Sequence, residues 1–400
     1  MANNITQQEG AKVAQYAHYE DVDQEQLQKD IDAIKETIES RTWEDFEHLK
    51  KLELWGRMFG IGGFLLILFT VSYDAVSGMN SFLFWTLGIA GAISMGIANV
   101  ARWANVTHPI LHGAYDKVPG IPKRYTKKGF AKANRRWVDW LDWVEPEAWT
   151  FEHNIMHHYH LGEEDDPDNV EKNMVWLHEA KIPMWMKYAF VYIFAFTWKL
   201  TYYAPNTIRI LANKDRLKRG EKPSPEYELS PFTPNGKILW TQAILPYGLA
   251  KFVFLPALAM PFGGWSAFGY MFLFMVLSEF WANLHSFLVI VPNHSAEDIY
   301  QFSTPHKNQG EYYLRQIMGS VNYNTGSDWI DFLHGFLNYQ VEHHLFPDMP
   351  NSFYQKMQPV VKDICKKHNL EYRQESVFKR IKMTLDLMVG KTKLLTIDGI

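Results

Sequence analysis

The residues of this sequence that could do chemistry are histidines, and they occur in three clusters. The clusters read His108-Pro-Ile-Leu-His112, His153-Asn-Ile-Met-His157-His158 and Gln340-Val-Glu-His343-His344. Residues four apart lie on one face of an α-helix, so the two imidazoles of the first cluster can converge on one ion. In the second cluster His153 and His157 share a face, whereas His158 points about 100° away because the helical period is 3.6 residues. One helix can therefore serve two metal ions.

The number of clustered histidines restricts the metal more than their chemical type does. Buried imidazole is costly without a partner and is useful mainly as a base or as a metal ligand. Imidazole binds iron, zinc, copper and nickel alike. The seven clustered histidines exceed what one four-coordinate zinc takes and favour two ions of higher coordination, which indicates iron. The single cysteine, Cys365, excludes an intrachain disulfide and any Cys-rich zinc or iron–sulfur site.

Four apolar stretches could position these clusters at a membrane. They are residues 58–76, 82–100, 238–260 and 267–283, and each approaches the about 20 residues that cross a bilayer. Residues 77–81 and 261–266, which join the stretches in pairs, contain no Lys or Arg, whereas residues 102–237 contain many. The positive-inside tendency then predicts two helical hairpins with their tips outside, and places both termini and all three clusters in the cytosol.

A fifth stretch, residues 184–203, is apolar and aromatic but contains Lys187 and Lys199. If it crossed the membrane, the histidine clusters would lie on opposite sides, so we predict an interfacial segment. Lys251 and Glu279 fall inside the third and fourth apolar stretches, where a charge requires a partner or a polar cavity. For Lys251, snorkelling of the side chain from a tilted helix is the alternative.

The composition leaves room for a large membrane body and argues against nucleic-acid binding. Hydrophobic residues make up 47% of the 400 residues, and 40 basic against 44 acidic residues give a net charge of −4. This balance lacks the basic excess that phosphate backbones attract. Residues 1–10 are polar, with no basic region followed by an apolar one. We therefore expect no cleavable signal peptide and a cytosolic N-terminus.

The sequence divides into three parts around the apolar stretches. Residues 1–54 form a cytosolic amphipathic helical segment, residues 55–360 the membrane domain and residues 361–400 a cytosolic tail. Between residues 20 and 50, an apolar stripe at helical spacing predicts one amphipathic helix on the protein or membrane surface. The stripe consists of Leu27, Ile31, Ile34 and Ile38.

The motifs H-x3-H, H-x3-HH and Q-x2-HH, in this order and flanked by apolar hairpins, resemble those of the membrane fatty-acid desaturases. The resemblance is strongest to front-end and acyl-lipid members, because the run LNYQVEHHLFP at residues 337–347 begins its third box with Gln. It covers residues 55–360. It implies an all-α integral membrane protein with four transmembrane helices in two hairpins. A helical cytosolic cap would hold a di-iron site above a buried acyl tunnel.

The resemblance also implies the roles of individual residues. Asn293-His294 resembles the Asn-His that supplies a further ligand after the last span. The implied metal ligands are His108, His112, His153, His157, His158, His294, His343 and His344. Gln340 is the implied catalytic residue, which approaches the iron or orients a water or a neighbouring histidine. His285 competes as a ligand only if Pro292 breaks the helix, and His160 and His334 lie outside the pattern.

The implied chemistry is an oxidation that uses dioxygen as co-substrate, two iron ions and a fatty acyl substrate linked to a lipid, CoA or a carrier protein. The sequence has no His-Pro-Gly-Gly haem motif, so we expect a separate electron donor of the ferredoxin or cytochrome b5 type. We expect an integral membrane protein, with a bacterial inner membrane favoured over the endoplasmic reticulum. The alternatives are a di-iron hydroxylase of an alkyl, acyl or terpenoid chain and a zinc-binding membrane receptor or scaffold without redox chemistry.

Two groups of charged residues have two interpretations each. Asp165, Asp166, Asp168 and Glu342 are candidates to hydrogen-bond ligating imidazoles. For the aspartates we prefer a solvated turn, and for Glu342 both interpretations stay open. The basic residues Lys123, Arg124, Arg135 and Arg136 could bind a phosphate-bearing headgroup, a CoA or carrier protein, or an acidic electron donor. A plain positive-inside anchor explains them equally well.

Overall fold

The computed structural model describes residues 19–37, 41–224 and 227–397, which are mostly helical. Residues 1–10, for which the sequence predicts no signal peptide, lie outside the described residues, and so does Ile38 of the predicted apolar stripe. The α-helices are Gln24–Thr37, Trp43–Ser77, Ser81–Val100, His108–His112, Arg136–Asp139, Pro146–Phe151, Val170–Asn173, Val175–Glu179, Met184–Ala195, Ala204–Lys218, Pro234–Leu239, Leu245–Leu249, Leu255–Ala257, Met260–Ile290, Gln309–Met318, Asp328–Leu333, Gln340–Leu345, Asn351–Lys367 and Val377–Met388. The π-helical turns are Ala101–Thr107, Glu152–His157, Lys199–Tyr203, Trp240–Ile244 and Ala250–Phe254. The 3-10 turns are Tyr19–Asp21, Lys123–Tyr125, Ala133–Arg135, Val291–Asn293 and Leu337–Tyr339.

Within the described residues, four continuous helical stretches are long and apolar enough to cross a membrane, which confirms that part of the fold prediction. In chain order they are Trp43–Ser77, Ser81–His112, Pro234–Ala257 and Met260–Asn293. We call them the first to fourth span helices. The second and fourth pack closely at Gly88, where an added Cβ would lie 2.0 Å from the ring of Phe274. Small residues allow such close approach between apolar helices, where no hydrophobic force drives association in lipid.

The N-terminal stripe packs on the protein, but the single helix expected over residues 20–50 is wrong in its extent. The helix Gln24–Thr37 buries one apolar face against the helix Gln309–Met318. The buried residues of the stripe are Leu27, Ile31 and Ile34. The residues from Trp43 onward belong to the first span helix, whose start is fixed by a capping box between Thr42 and Asp45.

The third span helix is interrupted twice by π-helical turns. One turn, Trp240–Ile244, ends before Pro246, and the other, Ala250–Phe254, ends before Pro256. Proline lacks the N–H that an α-helix needs at interior positions, and wider turns accommodate the missing bond. The helix still presents Lys251 to the fourth span helix, where its Nζ lies 2.6 Å from Oε2 of Glu279. The predicted need for a partner is confirmed, and snorkelling of Lys251 is wrong because both charges are buried.

The connection between the third and fourth span helices contains the break that the sequence predicts. Residues 261–266 were expected to form it, and this is where the helix Met260–Ile290, whose first turn contains Pro261, loses helical backbone geometry. Gly263 and Gly264 have non-helical backbone angles and kink the helix. The apolar stretch therefore enters the fourth helix through a kink, after a turn at residues 258–259.

Two short parallel ladders add to the otherwise helical fold. Tyr300–Phe302 pairs with Leu395–Ile397, and Asn322–Tyr323 pairs with Gln374–Glu375. The all-α prediction missed them because strands of two or three residues carry too little alternation to register as a pattern. They attach the C-terminal segment to the part of the chain that follows the fourth span helix.

Candidate metal centre

The structure brings all eight histidines predicted as metal ligands together. They form two sets, in each of which one ligand nitrogen per residue lies within 4.8 Å of the others. The five-histidine set is His108, His112, His153, His158 and His343. The three-histidine set is His157, His294 and His344. Their role as metal ligands stays a prediction, but their convergence is a feature of the fold.

The elements that carry these residues meet at the ends of the second and fourth span helices. His108 and His112 are on the last helical turn of the second span, which ends where Gly113 adopts a left-handed backbone with φ of 84°. His294 follows the 3-10 turn that closes the fourth span. The remaining ligands come from the helical stretch 146–158 and from the helix Gln340–Leu345. The site therefore depends on the packing of four separate segments.

The two sets are adjacent because two pairs of chain neighbours divide between them. His157 and His158 point into different sets, and so do His343 and His344. The rings of His158 and His344 are stacked with centroids 4.3 Å apart, so the sets touch each other. Within the five-histidine set, Nε2 of His108 faces Nε2 of His153 at 2.9 Å. Two lone pairs cannot face each other at this distance unless a proton or a metal lies between them.

The second cluster is arranged differently from the α-helical expectation. Residues Glu152–His157 form a π-helical turn, which is wider than an α-helical turn and brings residues five apart closer to one face. His153 consequently joins His158 in the five-histidine set, with ring centroids 4.8 Å apart. The pairing of His153 with His157 is retained only in a smaller group with Asp168. The prediction that this helix serves two sites agrees with the geometry, although the partners differ.

Hydrogen bonds at Nδ1 leave Nε2 of several histidines directed into the site. Nδ1 of His157 donates to Asp166 Oδ1 at 3.0 Å, and Nδ1 of His294 donates to Gly319 O at 2.7 Å. Nδ1 of His343 donates to Tyr354 Oη at 3.1 Å, and Nδ1 of His344 donates to Gln316 Oε1 at 2.8 Å. Such bonds fix the tautomer that carries its lone pair on Nε2. Among the described residues, the buried histidine Nε2 atoms without a hydrogen-bond partner belong, apart from that of His178, to the predicted ligands His112, His158, His343 and His344. Buried polar atoms are rarely left unsatisfied, so this donor set fits bound metal.

Burial keeps most of these imidazoles neutral, which is the form that binds metal. Burial, followed by the other histidines, lowers the pKa of His158, His343 and His344 well below the ordinary value. Burial and His157 lower the pKa of His294 to about 3. His157 is the exception, because burial lowers its pKa but the carboxylates of Asp166 and Asp168 together raise it by more.

The carboxylates that are candidates to hydrogen-bond the histidines differ in their burial and in their hydrogen-bond partners. Asp166 is buried and accepts from His157, so the solvated turn preferred for it is wrong, whereas Asp165 is exposed as expected. Asp168 lies beside the site, where its carboxyl adjoins that of Glu152. Burial and then Asp168 raise the pKa of Glu152. The hydrogen bonds that Glu342 accepts from other described side chains come from groups other than imidazole.

Those groups are the Asn322 amide at 2.7 Å and the Tyr372 hydroxyl at 2.6 Å. The suggestion that Glu342 holds a ligating histidine is therefore wrong. Glu342 acts on the local backbone through Asn322, whose Oδ1 accepts a hydrogen bond from the backbone N–H of Val341. Glu342 thus fixes the start of the helix that carries His343 and His344.

Gln340 faces the three-histidine set, as the sequence predicts. Its Nε2 lies 2.7 Å from Nε2 of His294, and its Oε1 accepts from the Asn293 amide at 3.2 Å. Because His294 donates through Nδ1 to Gly319, its Nε2 carries the lone pair that the Gln340 amide contacts. A metal at this atom would displace that contact and leave the amide next to the ion.

Three other histidines near the motifs remain outside both sets. His285 donates through Nε2 to the carbonyl of Leu333 at 2.7 Å. His160 donates to Glu163 at 2.9 Å, and His334 donates to the carbonyl of Ile330 at 2.8 Å. None of the three belongs to either histidine set.

Sequence reasoning missed the partners of the ligands. Gln316 and Tyr354 hold His344 and His343 from helices that no motif connects to the clusters. Gly319 contributes only a backbone carbonyl. The spacing of histidines carries no information about these contacts, which arise from tertiary packing.

A cavity of about 420 Å³ adjoins the metal centre. His108, His153, His157, His294 and Gln340 contribute to its wall, so both sets border it. The rest of the wall is largely aromatic and comes mainly from the segment 190–203 and the end of the fourth span helix. The aromatic side chains of the wall, apart from the histidines, are Trp103, Trp149, Trp176, Phe190, Phe194, Trp198, Tyr202, Tyr203, Tyr227 and Phe287. Apolar cavities with a few polar groups are typical ligand sites.

The basic residues singled out in the sequence are not equally available to a partner. Arg136 is buried and donates to the backbone carbonyls of Trp140 and residues 142, 144 and 242, so a role for it in binding a partner is wrong. Arg135 pairs with Asp139. Lys123 is exposed and Arg124 is half-buried.

Comparison with known proteins agrees with this architecture. The sequence profile of the family described as fatty acid desaturase matches residues 83–376. The NADPH-dependent stearoyl-CoA 9-desaturase of Mycobacterium tuberculosis is 24% identical over 373 residues, which cover 89% of this chain and 77% of that protein.

Two further relatives cover different shares of the chain. Delta(5) fatty acid desaturase A of Dictyostelium discoideum is 24% identical over 318 residues, or 77% of this chain and 63% of that protein. The Delta(8)-fatty-acid desaturase of Borago officinalis is 41% identical over 86 residues, or 22% of this chain and 18% of that protein. With a family profile that spans most of its length and two adjacent histidine sets beside an aromatic cavity, this chain belongs to the fatty acid desaturase family.

Proposed function

We propose that this protein is an oxygen-dependent di-iron desaturase that introduces a double bond into a fatty acyl chain. The observation that carries the proposal is the pair of adjacent, all-imidazole sets on the wall of an aromatic cavity. Family membership supports the acyl substrate, since the relatives named above are desaturases of fatty acids. The number of nitrogen donors supports two iron ions over a single zinc ion.

The side chains of this protein would hold the two ions and exclude water. The five-histidine set would bind one ion, and the three-histidine set together with the neighbourhood of Gln340 would bind the other. Bound iron would supply the dioxygen-dependent oxidation of a methylene, with electrons from a separate donor of the ferredoxin or cytochrome b5 type. Asp166, Gln316 and Tyr354 would orient the ligands through Nδ1.

The cavity would bind the acyl chain alongside the metal centre. Its aromatic wall removes apolar chain surface from water, at roughly 25 cal/mol per Å² of area buried. The same wall keeps water from the reacting carbon, which limits side reactions. His108, His153 and Gln340 border this space, so a bound chain would pass next to both histidine sets.

We also propose the membrane arrangement that the sequence predicts. The four span helices would form two hairpins, and both termini and the metal centre would lie on the cytosolic side in a bacterial inner membrane. Residues 184–203 would lie at the interface. The lack of Lys and Arg at residues 77–81, against many in residues 102–237, supports this sidedness.

The experiment is the fatty-acid profile of a host that expresses the chain, with products located by mass spectrometry. Expression should yield a new unsaturated acyl chain, and His343→Ala should abolish it. His285→Ala is the matched control, because this histidine is buried nearby but donates to a backbone carbonyl outside both sets. A hydroxylated product instead of an alkene would establish the hydroxylase, and no oxygen-dependent product from folded, iron-loaded protein would contradict the proposal.

A further inference from the structure

A buried charged network crosses the helical body behind the cavity and takes no part in the metal centre. Its centre is Glu279 on the fourth span helix. Glu279 accepts from Trp143 Nε1 at 2.7 Å, Tyr247 Oη at 2.7 Å, Lys251 Nζ at 2.6 Å and Asn283 Nδ2 at 3.1 Å. A second buried ion pair, Lys199 Nζ with Asp142 Oδ2 at 2.9 Å, lies on the other side of Asn283. Lys199 also reaches Asn99 of the second span helix, so the network joins three span helices to the interfacial segment.

Asn283 connects the network to the wall of the cavity. Its backbone carbonyl accepts from Nε1 of Trp198 at 3.0 Å, and its Oδ1 accepts from the backbone N–H of Lys199 at 3.0 Å. The indole of Trp198 lines the cavity. Its ring centroid lies 6.0 Å from that of Trp103, which lines the cavity as well.

Lys199 contacts the indole of Trp103 in this wall but does not itself line the cavity. Its Nζ donates to Asn99 Oδ1 at 2.9 Å and lies 5.0 Å from the centre of the Trp103 ring. Both the indole of Trp198 and the indole of Trp103 therefore contact groups that belong to the charged network. An acyl chain that displaced either indole would meet a buried ion pair, where an apolar chain gains nothing.

The energetics suggest a role other than stability. Charges within apolar helices are costly, and replacing a buried ion pair with packed apolar residues is often neutral or stabilising. Apolar packing, however, would give the indole N–H of Trp198 no directional partner. A hydrogen bond to a carbonyl on a rigid span helix fixes its direction.

We propose that this network is a positioning device, which holds Trp198 through Asn283 and thereby determines which methylene of the acyl chain lies at the metal centre. The inference rests on the proposed function and deepens it. Glu279, Asn283 and Lys199 are positioning residues, because they act through the cavity wall and touch neither metal ligands nor substrate. Loosening the wall changes the depth to which the chain extends, so the product distribution changes.

The test compares the positions of the double bond made by purified wild-type protein and by Trp198→Phe. This variant keeps an aromatic ring but removes the Nε1–H donor to Asn283. We expect the ratio of minor to major double-bond positions to rise roughly fivefold, the effect of one lost hydrogen bond. Trp240→Phe is the matched control, since it also removes an indole bond to a carbonyl, that of Leu229 at 2.8 Å, away from the cavity.

A second variant, with Lys251→Met and Glu279→Met together, removes the central ion pair without leaving an unpaired charge. We expect the same shift in position with unchanged iron content. Unchanged product positions in Trp198→Phe, or in the folded double variant, would overturn the inference, whatever the melting temperatures. If the double variant does not fold, Tyr247→Phe, which removes one hydrogen bond to Glu279, takes its place. Wild-type protein that forms no double bond would instead refute the proposed function, so the two failures are distinguishable.

Discussion

The histidines of the metal centre differ in how their second nitrogen is held. Nδ1 of His157 donates to a carboxylate, whereas Nδ1 of His294 donates to a backbone carbonyl. Both nitrogens of His158 lack a hydrogen-bond partner within the described chain. A carboxylate partner makes an imidazole a stronger ligand. The three-histidine set therefore contains the most strongly supported ligand of the site.

The first residue-scale prediction concerns Asp166. Asp166→Asn should lower the affinity of the three-histidine set for metal roughly 10- to 100-fold, because an outer partner of this kind contributes that much. Metal titration of the purified apo-protein measures it. Asp165→Asn is the control, since Asp165 is exposed beside Asp166. Equal affinities for the two variants would show that the bond to His157 does not tune the ligand.

The second residue-scale prediction concerns Gln340, which lies next to His294. An amide binds iron less well than imidazole does, so Gln340→Ala should keep most of its metal and lose much of its turnover. His343→Ala should lose both. Metal content and product yield of the two variants are the measurements. Iron loss in Gln340→Ala equal to that in His343→Ala would make Gln340 a ligand and our assignment wrong.

At this scale the sequence predicted which histidines converge but not the groups that surround them. Paired and spaced histidines are recognisable because helical geometry brings residues three to five positions apart together. Gln316 is 28 residues from His344 along the chain and meets it only through the packing of two helices. The wrong prediction that Asp166 is solvated has the same origin. A turn rich in aspartates is typical of a solvated surface, and only the tertiary packing buries Asp166.

At the scale of elements, π-helical turns recur at the functional parts of this chain. They precede His108, carry His153 and His157, and include Tyr202 and Tyr203 at the cavity wall. Periodicity in the sequence predicted the helices, but a single wide turn leaves no periodic signal. The partners of His153 were consequently assigned on an α-helical basis that the structure does not follow. Prolines 246 and 256 mark the two turns in the third span helix that could have been anticipated.

An element-scale prediction addresses the contact between the second and fourth span helices. Gly88→Ala should lower the thermal stability of the purified protein, because the new Cβ would lie 2.0 Å from the ring of Phe274 and such overpacking costs about 1–3 kcal/mol. Gly62→Ala is the control, since nothing lies within 4 Å of its added Cβ. Melting temperatures of the two variants in one detergent provide the test. Equal melting temperatures would contradict the close packing described here.

At the scale of the whole molecule, hydropathy sufficed to predict the four span helices, because an uninterrupted run of about 20 apolar residues matches the thickness of the hydrocarbon core. The sidedness of these helices rests on the distribution of Lys and Arg. A metal site shared by the three histidine clusters would require that the segments carrying them meet on one side of the membrane. The predicted metal site therefore depends on the predicted sidedness of the span helices.

A whole-molecule prediction tests that topology by cysteine labelling in a Cys365→Ser background. Ser77→Cys and Ser266→Cys, at exposed positions near the hairpin tips, should react with an impermeant reagent from outside. Asp165→Cys, near the metal centre, should react only after the membrane is permeabilised. Reaction of Asp165→Cys in intact cells would refute the cytosolic placement of the site.

The central prediction about the whole protein is that each of the two histidine sets binds an iron ion. Elemental analysis of the purified protein, prepared without added metal, measures it. We predict two irons per chain, one for each set, and a loss of iron in His157→Ala and His344→Ala, with His285→Ala unchanged. One zinc ion per chain, or full iron content in a variant that lacks both His157 and His344, would contradict it.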